Sequence, residues 1–156
     1  MVQIRLVQEE DLTAQSGRFL SLLLDAYSFS FSKIDEGTLT QIAEESLANM
    51  ITFQKDGSAI LIGAFAQAEI IGVLWAYERI VMGERRVHIG QFSVDAAWRR
   101  SGIGKQLISA LEDIMRQRGI ASLELMVSYE NVNAILLYES LGFETERVQL
   151  VKRFQL

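Results

Sequence analysis

The chain has 156 residues, of which 49% are hydrophobic and 22% charged, and its formal net charge at pH 7 is −5. This length is that of one domain, over residues 1–156, that can bury a core without covalent cross-links. Because the chain has no cysteine and one histidine, disulfides, thiolate catalysis, cysteine-ligated zinc and a histidine-rich metal site are excluded.

The charge and the hydropathy pattern also bear on partners and location. Net acidity argues against electrostatic binding of nucleic acid. The first residues lack the apolar core of a signal peptide, and no apolar run approaches the roughly 20 residues needed to span a bilayer. We therefore expect a cytoplasmic protein that binds neither nucleic acid nor membrane.

The first half of the chain predicts a strand followed by two helices. Alternating apolar and polar residues indicate the strand, and acidic residues at 9–11 favour a helix start. The segment 27–32 alternates like a strand but lies between helices, so we predict a loop with aromatic tips. The elements are a strand over 2–7, a helix ending near Tyr27, and a second helix reaching Met50 that Asp35 or Thr38 caps.

The second half predicts strands first joined by turns and then separated by helices. Short turns at 67–69 and 82–84 indicate antiparallel hairpins, whereas strand–helix–strand crossovers indicate parallel pairs. The elements are strands over 59–66, 70–81 and 85–94, a helix over 103–118, a strand over 122–127, a helix over 131–141 and a strand over 149–155. The fold class is therefore α/β, with a mixed, mostly antiparallel sheet and helices on both faces.

A glycine-containing run precedes the helix at 103–118. The helix has one apolar face at helical spacing, formed by Ile103, Leu107, Ile108, Leu111, Ile114 and Met115. Glycine allows a ligand to approach the backbone closely, and the first N–H groups of a helix attract anions. Positive side chains surround Gly102 and Gly104, so a phosphate-bearing ligand is predicted. The alternative is that the two glycines only shape a tight turn. Gln106 and Leu107 depart from the phosphate-loop and dinucleotide-binding patterns.

Two motifs in this region resemble those of the GNAT family of N-acetyltransferases. Arg99-x-x-Gly102-x-Gly104 is similar to its Gln/Arg-x-x-Gly-x-Gly/Ala signature. The run from Asn131 through Ala134, Leu137 and Tyr138 to Gly142-Phe143 resembles its Asn-x-x-Ala-x-x-Leu-Tyr-x-x-x-Gly-Phe segment. The resemblance covers about residues 85–143 and implies the acyl-CoA N-acyltransferase fold.

The resemblance implies acetyl-CoA as co-substrate and no metal. Backbone groups of the glycine turn would hold the pyrophosphate, and those of the preceding strand would pair with the pantetheine arm. Asn131 would contact that arm, cap a helix, or do both. The implied cofactor-binding residues are Phe92, Ser93, Val94, Arg99, Arg100, Ser101, Gly102, Ile103, Gly104, Lys105, Asn131 and Tyr138.

The resemblance also suggests an acid and a base. Tyr138 corresponds to the family tyrosine that protonates the leaving thiolate, although helix packing would also explain it. His88 is the candidate base, since histidine titrates near neutrality; it could instead be a surface residue. Simple alternation places His88 on one strand face with Phe92 and Val94 unless a bulge intervenes. Glu78, Glu124 or water are alternatives.

The implied activity is transfer of acetyl from acetyl-CoA to a primary amine of a small molecule or protein, by direct attack. We expect the acceptor between the aromatic residues at 27–31 and the strand at 70–81; the alternative is that these aromatic residues only pack in the core. The alternative is a catalytically silent acyl-CoA-binding or regulatory domain on the same fold. A homodimer is left open.

Overall fold

A computed structural model describes residues 1–156. Its elements follow the predicted order as far as residue 142, except that the first predicted helix is divided into two at Gln15. The strands are β1 (Val2–Leu6), β2 (Ala59–Ala66), β3 (Glu69–Val81), β4 (Glu84–Val94) and β5 (Ser122–Leu125). The helices are α1 (Glu9–Ala14), α2 (Ser16–Ser30), α3 (Glu36–Lys55), α4 (Ile103–Arg118) and α5 (Val132–Ser140), with a 3-10 turn at Ala96–Trp98. None of these helices combines the length and apolar character needed to cross a bilayer.

The five strands form one sheet in the order β1-β2-β3-β4-β5. The first four strands pair antiparallel, because short turns join β2 to β3 and β3 to β4. β5 lies parallel to β4, because α4 carries the chain across the sheet between them. The predicted mixed, mostly antiparallel sheet is confirmed.

Helices cover both faces of this sheet, and each face has its own core. α4 contributes its predicted apolar stripe to one core, with the buried residues Ile103, Leu107, Ile108, Leu111 and Met115. α1, α2 and α3 form the other core against β2 and β3. The helical spacing of apolar residues in α4 therefore identified the buried face correctly.

The predicted aromatic loop at 27–32 is wrong, because α2 continues through Ser30. Phe19, Leu23 and Tyr27 recur every four residues on the buried face of α2, and this helical period extends through the segment that alternates. The Tyr27 hydroxyl is 2.7 Å from Ser46 Oγ on α3.

Of the two predicted caps of α3, Asp35 is the one that the structure shows, since its carboxylate accepts a hydrogen bond from the Thr38 N–H at 3.0 Å.

The predicted last strand, 149–155, is also wrong. Residues 144–156 form no regular element, make no backbone–backbone hydrogen bonds and are exposed. A strand needs backbone pairing along an edge; β5 is the last strand of the sheet and has only four residues, and residues 149–155 make no backbone hydrogen bond to its outer edge. Glu146 connects this segment to the sheet, because its carboxylate accepts two hydrogen bonds from the Arg86 guanidinium, at 2.6 and 2.9 Å.

Candidate functional site

β4 and β5 separate at the end of their parallel pairing. The pairing runs from Arg86 to Ile89 on β4, and β5 ends at Leu125. β4 continues for five more residues to Val94, bonded on one side to β3. Along this stretch, which includes the predicted residues Phe92 and Ser93, the other edge of β4 has no strand partner. Unpaired backbone groups at such an edge can bond to an extended ligand.

The glycine turn lies directly beyond this edge and presents a run of free donors. Gly102 has φ +82° and Arg100 has φ +61°, so the backbone turns sharply into α4. The six consecutive backbone N–H groups from Arg100 to Lys105 make no hydrogen bond to any protein acceptor. Free N–H groups at a helix start form an anion site. The turn therefore has the free backbone donors that the predicted phosphate site needs.

The side chains at the turn divide into two groups. The Arg99 guanidinium donates to the Val94 carbonyl at 3.1 Å, pairs with Asp25 and lies 4.9 Å from the Phe29 ring centre. Arg99 therefore fastens the turn to the end of α2 rather than projecting toward a ligand. Arg100 and Lys105 are exposed and make no ion pair. Their positive charges remain available to an anion.

Two of the predicted cofactor-binding residues can contact a ligand only through their backbone groups, because their side chains are buried. The Ser93 hydroxyl is buried and donates to the Leu22 carbonyl at 2.8 Å. The Ile103 side chain is 2% exposed and belongs to the α4 core. Asn131 caps α5, since its side-chain oxygen accepts from the Ala134 N–H at 3.3 Å. The helix-cap alternative for Asn131 is thus realised.

Tyr138 on α5 lies against β4. Its ring centre is 6.0 Å from that of Phe92 and 5.6 Å from that of Phe143. The Tyr138 hydroxyl makes no hydrogen bond within the protein, and burial raises the pKa of Tyr138 to about 12. An added Cβ at Gly104 would lie 3.1 Å from Phe92 Cζ, so the Phe92 ring would have to shift by a few tenths of an ångström. β4, α4 and α5 therefore meet at Phe92.

His88 lies on the other face of β4, because a β-bulge interrupts the strand. Trp75 pairs with Gln91 and Ala76 with Ile89, which leaves Gly90 as the extra residue. Ile89 and Phe92 therefore share the α4 face, and His88 shares the opposite face with Gln91. Simple alternation, which puts His88 with Phe92 and Val94, is wrong here. The bulge is the physical reason.

His88 is neither at the surface nor isolated. It is 6% exposed, its ring centre is 5.3 Å from that of Tyr77, and its Nδ1 is 3.1 Å from Glu124 Oε1. Burial lowers the pKa of His88, and the hydrogen bond with Glu124 partly opposes that shift. The alternative of a surface histidine is wrong. The lowered pKa favours the neutral imidazole of His88 near neutral pH.

The two glutamates considered from the sequence differ in their surroundings. Glu78 pairs with Arg85 and Arg118 at the end of the sheet, and hydrogen bonds from both lower its pKa. Glu124 lies beside His88 and also accepts from Arg79 and Arg86. Of these two carboxylates, Glu124 is the one in contact with His88.

Sequence reasoning missed a polar cluster next to the bulge. Gln91 donates to the Tyr27 hydroxyl, which is in turn paired with Ser46. The cluster joins β4, α2 and α3 on the face that carries His88. No local signal reveals it, because it depends on the bulge that turns Gln91 toward α2.

Comparisons with known proteins agree with this arrangement. A family model described as "Acetyltransferase (GNAT) family" matches residues 18–143. The [ribosomal protein bS18]-alanine N-acetyltransferase of Escherichia coli K12 is 36% identical over 75 residues, which are 48% of this chain and 49% of that protein. The chain thus spans about half the length of this relative. The uncharacterized N-acetyltransferase YdgE of Bacillus subtilis is 25% identical over 137 residues, covering 83% of this chain and 87% of YdgE.

Solved structures share the whole fold. The PaiA N-acetyltransferase of Thermoplasma acidophilum, in complex with coenzyme A, has a TM-score of 0.78 at 20% identity and covers 96% of this chain and 93% of its own. An aminoglycoside acetyltransferase from an uncultured soil metagenomic sample, in complex with sisomicin, has a TM-score of 0.72 at 19% identity, with 99% and 96% covered. Since the family model matches most of the chain, the protein belongs to the acetyltransferase (GNAT) family.

Proposed function

We propose that the protein transfers the acetyl group of acetyl-CoA to a primary amine. The observation that carries the proposal is the run of six free N–H groups from Arg100 to Lys105, which continues the unpaired edge of β4. The named activity of the bS18-alanine acetyltransferase and the coenzyme A bound to the PaiA structure support it.

The residues around the turn fit coenzyme A. The free N–H groups would hold the pyrophosphate, and the exposed Arg100 and Lys105 would add positive charge. The backbone groups of the segment Phe92, Ser93 and Val94 that face away from β3 would bond to the pantetheine amides. Arg99 contributes by fixing the turn through Asp25. The acetyl thioester, when bound, supplies the acetyl group.

The candidate acid and the candidate base would act from opposite faces of β4. Tyr138 reaches the α4 face beside Phe92, and its high pKa keeps the phenol protonated as a proton donor. His88 on the other face is neutral near pH 7 and can accept a proton from an incoming ammonium group. This division lets an amine lose its proton on one side while the leaving sulfur gains one on the other.

The acceptor amine would approach along the face that carries His88. A row of aromatic rings leads there, with centre-to-centre distances of 6.0 Å for Phe53–Trp75 and 5.8 Å for Trp75–Tyr77. Aromatic faces attract cations, so an ammonium group is favoured along this row. The position agrees with the expected site beside β3, although the neighbouring segment is the end of α2 and not a loop. A cytoplasmic location and a homodimer stay predictions.

Two measurements test the proposal. Calorimetry with acetyl-CoA and coenzyme A measures cofactor binding, and release of free thiol in the presence of a broad amine panel measures transfer. We expect the protein to bind both acetyl-CoA and coenzyme A, and to release free thiol from acetyl-CoA in the presence of at least one amine. Binding without turnover on any amine would favour a silent acyl-CoA-binding domain, and absence of binding would refute the proposal.

A further inference from the structure

His88 and Glu124 are direct neighbours across the parallel pair β4–β5. They occupy opposed positions of the register, and their side chains project to the same face of the sheet. The adjacent residues Leu123 and Leu125 pack on the α4 core, which turns Glu124 toward the His88 side. The contact between Nδ1 of His88 and Oε1 of Glu124 is 3.1 Å. The register of the sheet, not a flexible loop, therefore sets this contact.

Glu124 is held in place as an anion. Its side chain is 15% exposed, and it accepts hydrogen bonds from Arg79 and, at 3.2 Å, from Arg86. Burial disfavours the charged form, but these bonds outweigh it and lower the pKa of Glu124. A carboxylate with such partners is a weak proton acceptor. Glu124 is therefore poorly suited to be the base itself.

The charge on Glu124 determines which nitrogen of His88 carries the proton. An ionised carboxylate only accepts hydrogen bonds, so Nδ1 of the neutral imidazole must donate. The proton-free nitrogen is then Nε2. Nε2 has no hydrogen-bond partner in the protein and is not closed off from solvent.

We propose that Glu124 is a positioning residue, which locks His88 in the Nδ1–H tautomer so that Nε2 accepts the proton of the acceptor amine. The inference rests on the proposed function for the role of Nε2, whereas the tautomer is a property of the folded protein alone. Arg79 and Arg86 hold Glu124 from two sides, and Tyr77 packs on the imidazole ring. These groups are the charged or titratable partners around the pair.

The tautomer is measured first on the unaltered protein. His88 is the sole histidine, so a nitrogen-15 NMR spectrum of labelled imidazole reports on it without assignment work. We expect a protonated Nδ1 and an unprotonated Nε2 near pH 7.5. A protonated Nε2 there would overturn the proposal whether or not the protein shows acetyl transfer.

The variant Glu124→Gln then tests the catalytic consequence. We expect kcat to fall about tenfold, which is less than the roughly 10²–10⁴-fold contribution of a general base because His88 itself is retained, with KM for acetyl-CoA unchanged. Loss of the carboxylate removes the contact that raises the pKa of His88, so the acid limb of the rate profile should move to lower pH. The NMR signals should shift toward the Nε2–H tautomer, because the glutamine amide can donate to Nδ1.

A matched variant separates positioning from general damage to the ionic network. Glu146→Gln also removes a carboxylate bound to Arg86, but Glu146 does not touch His88. We expect this variant to keep the kcat, the pH profile and the tautomer of the parent protein. If both variants lose activity equally, or if Glu124→Gln keeps the parental pH profile and tautomer, Glu124 has only a structural role.

Discussion

Substitution of Gly102 separates two contributions to the glycine turn, its backbone conformation and its positive potential. Gly102 has φ +82°, and an added Cβ would meet nothing within 4 Å. A substitution there causes no clash, but a left-handed conformation costs about 1–2 kcal/mol for a residue with a side chain. Gly102→Gln and Gly102→Glu share this cost, so each should lower the melting temperature by about 2–8 °C.

The two variants differ in charge alone. If the carboxylate introduced by Gly102→Glu lay about 6 Å from a phosphate, repulsion per unit charge at an effective dielectric constant of about 20 would be roughly 2.8 kcal/mol. That energy corresponds to about a hundredfold weaker binding of coenzyme A by Gly102→Glu than by Gly102→Gln. Calorimetry at low and high salt measures the difference, which should shrink as ionic strength rises. Equal dissociation constants for the two variants would refute the assignment of the phosphate site to this turn.

Three further predictions concern the acid, the base and an ion pair of the fold. Tyr138→Phe removes the phenol proton donor, so kcat should fall about a hundredfold. The ring packing is kept, so the affinity for coenzyme A should change little; an unchanged kcat would refute the acid role. His88→Gln should abolish the acid limb of the rate profile, whose midpoint in the parent should lie below 6.5 because burial lowers the pKa of His88. Asp11 accepts from Arg5 at 2.6 and 2.8 Å, and this hydrogen bonding lowers the pKa of Asp11 from 3.8. Its stabilisation is thus complete well above pH 3.8 and lost as pH falls below it. Asp11→Asn should lower the free energy of unfolding by about 1 kcal/mol at pH 7 and by less near pH 3. Equal losses at both pH values would contradict the ionic explanation.

Much of the architecture follows from local patterns. The stripe of α4, the hairpins that join β2, β3 and β4, and the Asp35 cap depend on residues close together in the chain. Short-range geometry decides such features, and the sequence predicts them correctly. The two failures are the loop at 27–32 and the strand at 149–155. The first segment alternates but continues a helix, and the second is short and its structure depends on pairing with a distant strand.

The sequence by itself determined the glycine turn, because the positive φ of Gly102 and the start of α4 are set by adjacent residues. Only the tertiary structure decided how the catalytic candidates are arranged. The bulge at Gly90 sends His88 to one face of β4 and leaves Phe92 with Tyr138 on the other. The register of β5 then brings Glu124 to His88 across 36 residues of chain. Pairing between distant strands determines both features, and a shift of one residue would move either side chain to the opposite face.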